Sequence, residues 1–133
     1  MRRWGPTLLV FACTAAAGAH AGLVPAHLSG EPRLGVAFLL AVLLLMAAGA
    51  AIAVHPGDRR VTAAAGLLLA GLMIAYIATR TTGIPWLDPQ PEALDAVGIA
   101  TNVVEGIGVL VALGLSHPVD RPSRLIHLKE VSQ

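Results

Sequence analysis

The sequence predicts an all-α fold, a bundle of four membrane-spanning helices, and three observations carry that prediction. Of its 133 residues, 56% are hydrophobic and only 13% charged, at a mean hydropathy of +0.73, which is far from the composition of a soluble domain. The apolar residues gather into four windows, about 4–24, 34–54, 61–79 and 96–115, each near the ~20 residues that cross ~30 Å of hydrocarbon. These windows are runs of Leu, Ala, Val and Gly without strict alternation, which excludes the dyad pattern of a membrane β-barrel. Residues 1–116 are therefore expected to form one transmembrane domain, and 117–133 a short tail.

The first span follows Arg2 and Arg3 and is expected to end at Pro25, because proline lacks a backbone donor and disfavours helix at the residue before it. Arg2-Arg3, the apolar stretch and Ala19-His20-Ala21 also fit a cleaved secretory signal. The apolar run continues past that point to Val24, which favours a retained span. Cys13 comes too early for a lipoprotein signal and, as a lone cysteine, builds neither an intramolecular disulfide nor a cysteine zinc site. It is expected to be a small packing residue.

Gly30 and Pro32 form a short connection, and the second span is a Leu-rich run with nothing polar before His55. His55-Pro56-Gly57-Asp58 is a compact turn, so spans two and three should be antiparallel neighbours. The third span runs to Tyr76, Thr79 and Arg80 and is stopped by Gly83 and Pro85, with Trp86 suited to the membrane interface. Asp88, Glu92 and Asp95 precede the fourth span, where acids oppose the positive end of the helix dipole. After Leu115 the chain has room only for an interfacial turn or a frayed end.

Orientation follows from the nine basic residues. Seven of them (Arg2, Arg3, Arg59, Arg60, Arg121, Arg124 and Lys129) fall on one side of the four spans, and Arg33 and Arg80 on the other. The positive-inside rule then places both termini in the cytoplasm of a bacterial plasma membrane and the first and third connections outside. A net charge of +1 gives no reason to expect a nucleic-acid partner. The expected partners are bilayer lipid and, beyond it, further copies of the chain or a larger membrane complex.

Glu105 is the exception in this pattern. It lies near the middle of AVGIATNVVEGIGVLVALGL, whereas the other three windows carry no Asp, Glu, Lys or Arg. An acid at that depth costs several kcal/mol unless it is paired or neutral, so its position reads as functional. The plain alternative is a neutral acid donating a hydrogen bond to another helix. Gly98, Thr101, Asn102, Glu105, Gly108 and Ala112 share one helical face, which should pack inward, and Ile99, Val103, Ile107 and Leu110 should face lipid.

Counting ~1.5 Å per residue from the outer ends puts Glu105 roughly 14 Å deep, His20 and Tyr76 roughly 6 Å deep, and Arg80 at the surface. With His27 and Glu31 in the first connection, the candidate constellation is His20, His27, Glu31, Tyr76, Arg80, Asn102 and Glu105. Arg80 also fits a side chain that snorkels to the interface, and Tyr76 an interfacial or packing role. His55, His117 and His127 fall in solvated segments.

An intramembrane haem held by two histidines is disfavoured, because spans two, three and four contain none. His20 and His27 with an acid offer nitrogen and oxygen ligands to zinc or copper on the outer side. There is no phosphate-binding glycine loop and no Ser/His/Asp grouping on one face.

HAGLVPAHLSGEP, then RTTGIPWLDPQPE, then a last span with Asn102 and Glu105 resembles a group of small, uncharacterised four-span bacterial integral membrane proteins. In that group a histidine, a Pro-x-His-Leu turn, an Arg-Thr-x-Gly-Ile/Leu-Pro loop and a last-span glutamate recur. The resemblance covers most of the chain outside the tail and picks out His20, His27, Arg80 and Glu105. It implies a fold and a shared polar set but no activity, and Trp86-Leu87-Asp88 replaces the Phe-Gly-Pro of that loop.

The expected function is that of a non-catalytic integral membrane protein with an outer-facing polar pocket, acting as an accessory subunit or as a module for a small ligand or a metal. The alternative is a small proton- or cation-coupled transporter working as a homo-oligomer, in which Glu105 changes protonation.

Overall fold

A computed structural model describes residues 4–87 and 89–117. Among them the chain is all helix, with four helices and no strand: α1 (Gly5–Gly30), α2 (Pro32–Val54), α3 (Arg59–Thr81) and α4 (Ala96–Ser116). Each is long and apolar enough to cross a membrane, and together they make an antiparallel bundle of the multi-pass membrane type. The expectations for Arg2, Arg3, Asp88 and the tail lie outside the described residues.

The helix ends follow local chemistry. Pro6 and Pro32 sit in the first turns of α1 and α2, where a missing N–H costs nothing. Asp58 Oδ1 accepts from the Arg60 amide at 2.8 Å and Asp95 Oδ1 from the Gly98 amide at 2.7 Å, so both acids cap the helix that follows. Gly83 has φ +68°, a left-handed conformation that turns the chain out of α3.

Pro25 does not end α1. The helix runs on through it to Gly30, and Glu31 alone joins α1 to α2. The rule that proline stops a helix holds in water, where freed carbonyls find solvent. In an apolar medium a helix that loses one hydrogen bond costs less than an open turn with several unsatisfied groups.

Contacts run around the bundle from α1 to α2, α3, α4 and back to α1, closest between α1 and α2 and sparsest between α2 and α3. The core lies towards the end that carries the α2–α3 turn. There Leu9, Cys13, Ala16 and Ala17 of α1 meet Leu45 and Ile52 of α2, Ala65 and Leu69 of α3 and Ala112 of α4. Small residues make this approach possible: a Cβ on Gly108 would sit 2.6 Å from Leu69 Cδ1 and 3.0 Å from Ala12 Cβ. On α4, Thr101, Glu105, Gly108 and Ala112 are buried, while Ile99, Val103, Ile107 and Leu110 are exposed at the outer surface of the bundle, the division the sequence predicts.

Candidate functional site: a polar cavity between the four helices

Extending α1 to Gly30 changes the depth of His20. It now lies ten residues inside the helix end, ~15 Å at 1.5 Å per residue, rather than at the shallow level expected from a span ending at Pro25. Glu105, nine residues into α4, is at ~13.5 Å by the same measure. The two side chains meet: His20 Nε2 lies 3.1 Å from Glu105 Oε1, with side-chain exposures of 12% and 1%. One proton placed between them satisfies both as an ion pair or as a neutral pair, and either way the carboxyl group is partnered.

This pair closes the bottom of a cavity of about 460 Å³ that opens towards the α1–α2 and α3–α4 connections. Leu23, Leu34, Phe38, Ala41, Leu72 and Ala75 give it apolar walls, and His20, Tyr76, Arg80, Glu92, Thr101 and Asn102 also line it. Glu105 stands behind His20 rather than on the cavity wall. Phe38 fixes the imidazoles, stacking with His20 at 5.6 Å and meeting His27 edge-on at 4.8 Å between ring centroids.

Arg80 is not the snorkelling side chain that its place near a span end suggests. Its side chain is 14% exposed, Nη1 donates to Glu92 Oε2, and Nη2 donates to Asp95 Oδ2 at 2.8 Å. Its guanidinium also lies 4.8 Å from the centre of the Tyr76 ring. Two acids that read from sequence only as helix caps thus hold Arg80 over the cavity and tie the long loop to α3. Asp95 does both jobs, with one oxygen on Gly98 and the other on Arg80. Gly98 makes room for Tyr76, since a Cβ there would meet the ring Cε2 at 2.5 Å.

Among the described residues, three buried side-chain polar atoms have no hydrogen-bond partner: His20 Nδ1, Tyr76 Oη and Arg80 Nε. All three belong to residues lining this one cavity. Buried polar groups are nearly always satisfied, and in hydrocarbon an orphan is especially costly, so their clustering sets this region apart from the packed core. By contrast, a crevice of about 350 Å³ between α1 and α4, walled by Ala15, Ala19, Val97, Ala100 and Val104, is almost wholly apolar and faces outward. It offers a ligand no polar anchor.

The seven residues singled out from sequence separate into groups. His20 and Glu105 pair at the bottom, Tyr76 and Arg80 pack together higher up, and Asn102 lines the cavity while donating to the Gly98 carbonyl at 3.1 Å. His27 and Glu31 lie at the α1–α2 junction, away from the His20–Glu105 pair, and close to Glu92. His20 is thus not grouped with His27 for metal binding. Phe38 and the pairing role of Glu92 went unread in the sequence. A lone phenylalanine in a Leu-rich helix carries no signal, but a buried-side Arg80 facing two loop acids twelve and fifteen residues on could have been paired by charge alone.

The chain matches no protein-family model, no curated protein and no solved structure.

Proposed function

We propose that the protein is a non-catalytic integral membrane protein of the bacterial plasma membrane that holds a small ligand in this cavity, as an accessory subunit or a binding module. The observation that carries the reading is that three residues lining one cavity, His20, Tyr76 and Arg80, each keep a buried polar atom without a partner among the described residues, with the His20–Glu105 pair at its deep end. A volume of about 460 Å³ suits a small organic molecule, and apolar walls with a few polar anchors are the usual build of such sites. The threonine hydroxyls in the wall support a binding role over nucleophilic catalysis: Thr79 donates to the Tyr76 carbonyl and Thr101 to the Val97 carbonyl, so neither is presented to a base.

An outer-facing cavity follows from the charges at the two ends. In the sequence Arg2, Arg3, Arg59, Arg60, Arg121, Arg124 and Lys129 flank the opposite end of the four spans, and only Arg33 and Arg80 flank the cavity end. The test is a set of three variants, Glu105→Gln, Glu105→Ala and His20→Ala, with bound small molecules read by mass spectrometry of protein extracted in mild detergent. The reading expects a co-purifying molecule that the variants lose. Variants with wild-type stability, phenotype and bound contents would overturn it.

Glu105 also supports a second reading, a proton- or cation-coupled carrier, since a 1% exposed acid paired with an imidazole can exchange a proton as the bundle opens. Four unbroken helices are few for a carrier, so this reading requires a homo-oligomer. Vesicles that show no proton movement after an acid pulse, beyond that of Glu105→Gln, would rule it out.

A further inference from the structure

At the mouth of the cavity, His27 on the last turn of α1, Glu31 at the α1–α2 junction and Glu92 in the α3–α4 loop bring one donor atom each to within 4.8 Å of one another. We propose that these three side chains form a binding site for a divalent first-row cation of the zinc type, closing the cavity at its membrane-surface end.

The distances are already close to those of a bound ion. Three atoms no more than 4.8 Å apart have a common centre within about 2.8 Å of each, so a closure of roughly 0.6–0.8 Å reaches the ~2.0–2.2 Å of zinc–nitrogen and zinc–oxygen bonds. Rotation of the exposed Glu31 side chain supplies much of that movement, because among the described residues its carboxylate accepts no hydrogen bond.

Two further observations point to a metal rather than to a chance meeting of polar groups. His27 Nδ1 lies 2.9 Å from the Leu23 carbonyl, which can only accept, so Nδ1 carries the proton and Nε2 keeps its lone pair for a ligand. Metal-bound histidines are commonly fixed through their other ring nitrogen in this way. Glu92 is likewise held in place: Arg80 donates to Oε2, and among the described residues Oε1 accepts no hydrogen bond. The edge of Phe38 against the His27 ring keeps the imidazole from swinging away.

The donor set selects the ion. One imidazole and two carboxylates, with no thiolate or thioether nearby, favour zinc and its neighbours over copper(I), and the imidazole disfavours magnesium and calcium. Two carboxylates against one Arg80 leave a net negative site, which a divalent cation balances. Three protein ligands leave a fourth position for water or for a donor atom of a molecule in the cavity. Neither His20 nor Glu105 is a ligand, so this site stands or falls apart from the cavity reading.

The experiment uses the purified full-length protein in detergent, stripped with a chelator and titrated with Zn²⁺ alone by calorimetry, alongside His27→Gln, Glu31→Gln, Glu92→Gln and, as a control, His55→Gln. His55 is exposed at the opposite end of the bundle. The proposal expects one zinc per wild-type chain, a rise in Tm on zinc addition, and affinity reduced tenfold or more in each of the three site variants but unchanged in His55→Gln. Glu31 is exposed, so Glu31→Gln leaves the fold intact and decides the matter even if another variant misfolds. Wild-type protein that takes up no zinc, or that binds it as tightly when Glu31→Gln is in place, overturns the site.

Discussion

The two halves of this bundle are built on opposite terms. Towards the α2–α3 turn the helices meet closely through alanine, glycine and leucine, as at Gly108 against Leu69 and Ala12. Towards the α1–α2 and α3–α4 connections the same four helices stand apart around about 460 Å³, and three of the residues lining that space each keep a buried polar atom without a partner among the described residues. In a membrane, where lipid tails are as apolar as leucine, association rests on close packing, which the first half supplies. The second half forfeits packing and leaves polar groups unsatisfied, two costs that helix association alone does not explain.

If the closed half carries stability, its most crowded glycine should be the most sensitive position. Gly108→Val should lower stability by about 1–3 kcal/mol through overpacking, read as a fall in Tm or in the detergent-unfolding midpoint. A tolerated valine would mean that the helices are not packed as closely there as the structure places them.

In the open half, Glu105→Ala should cost about 1–2 kcal/mol, because it strands the His20 imidazole in an apolar setting, and Glu105→Gln less than ~1 kcal/mol, because an amide can still bond Nε2. Equal losses for both variants would show that charge, and not the hydrogen bond, matters at this position. Arg80 adds a loop-level test. Arg80→Leu should speed proteolysis in the α3–α4 loop, since Glu92 and Asp95 lose their tether, while Tm moves little because the core lies elsewhere. A large Tm loss with an intact loop would reverse that assignment.

The smallest expected effect is the sharpest contrast with the closed half. Tyr76→Phe removes a buried hydroxyl that has no hydrogen-bond partner within 3.5 Å among the described residues, so stability should change by less than ~0.5 kcal/mol or rise slightly. The same variant should weaken retention of a cavity ligand. A loss above 1 kcal/mol would mean that the hydroxyl is satisfied within the fold and the cavity needs no guest.

Much of this contrast is legible in the sequence, for physical reasons that differ by residue. The four spans and the inward face of α4 follow from hydropathy and helical period, which depend only on local composition. Glu105 is conspicuous because charge within hydrocarbon is costly wherever it occurs. The partner was harder to place. The rules of helices in water end the span at Pro25 and set His20 too shallow, whereas in an apolar medium the helix runs on for another turn and more. Phe38 and the Arg80 bridge to Glu92 and Asp95 depend on how helices rotate about one another, and nothing local to those residues encodes that. Cys13, read as a packing residue, sits fully buried in the core cluster.

The most direct test of the central claim, that Glu105 is accommodated through His20 across the α1–α4 interface, is a double-mutant cycle with His20→Ala, Glu105→Ala and the double variant, scored by unfolding free energy in a fixed detergent. The account predicts a coupling between about 0.6 kcal/mol, the average for interhelical hydrogen bonds in a membrane bundle, and their maximum of about 1.7 kcal/mol. Losses that simply add, to within about 0.3 kcal/mol, would contradict it.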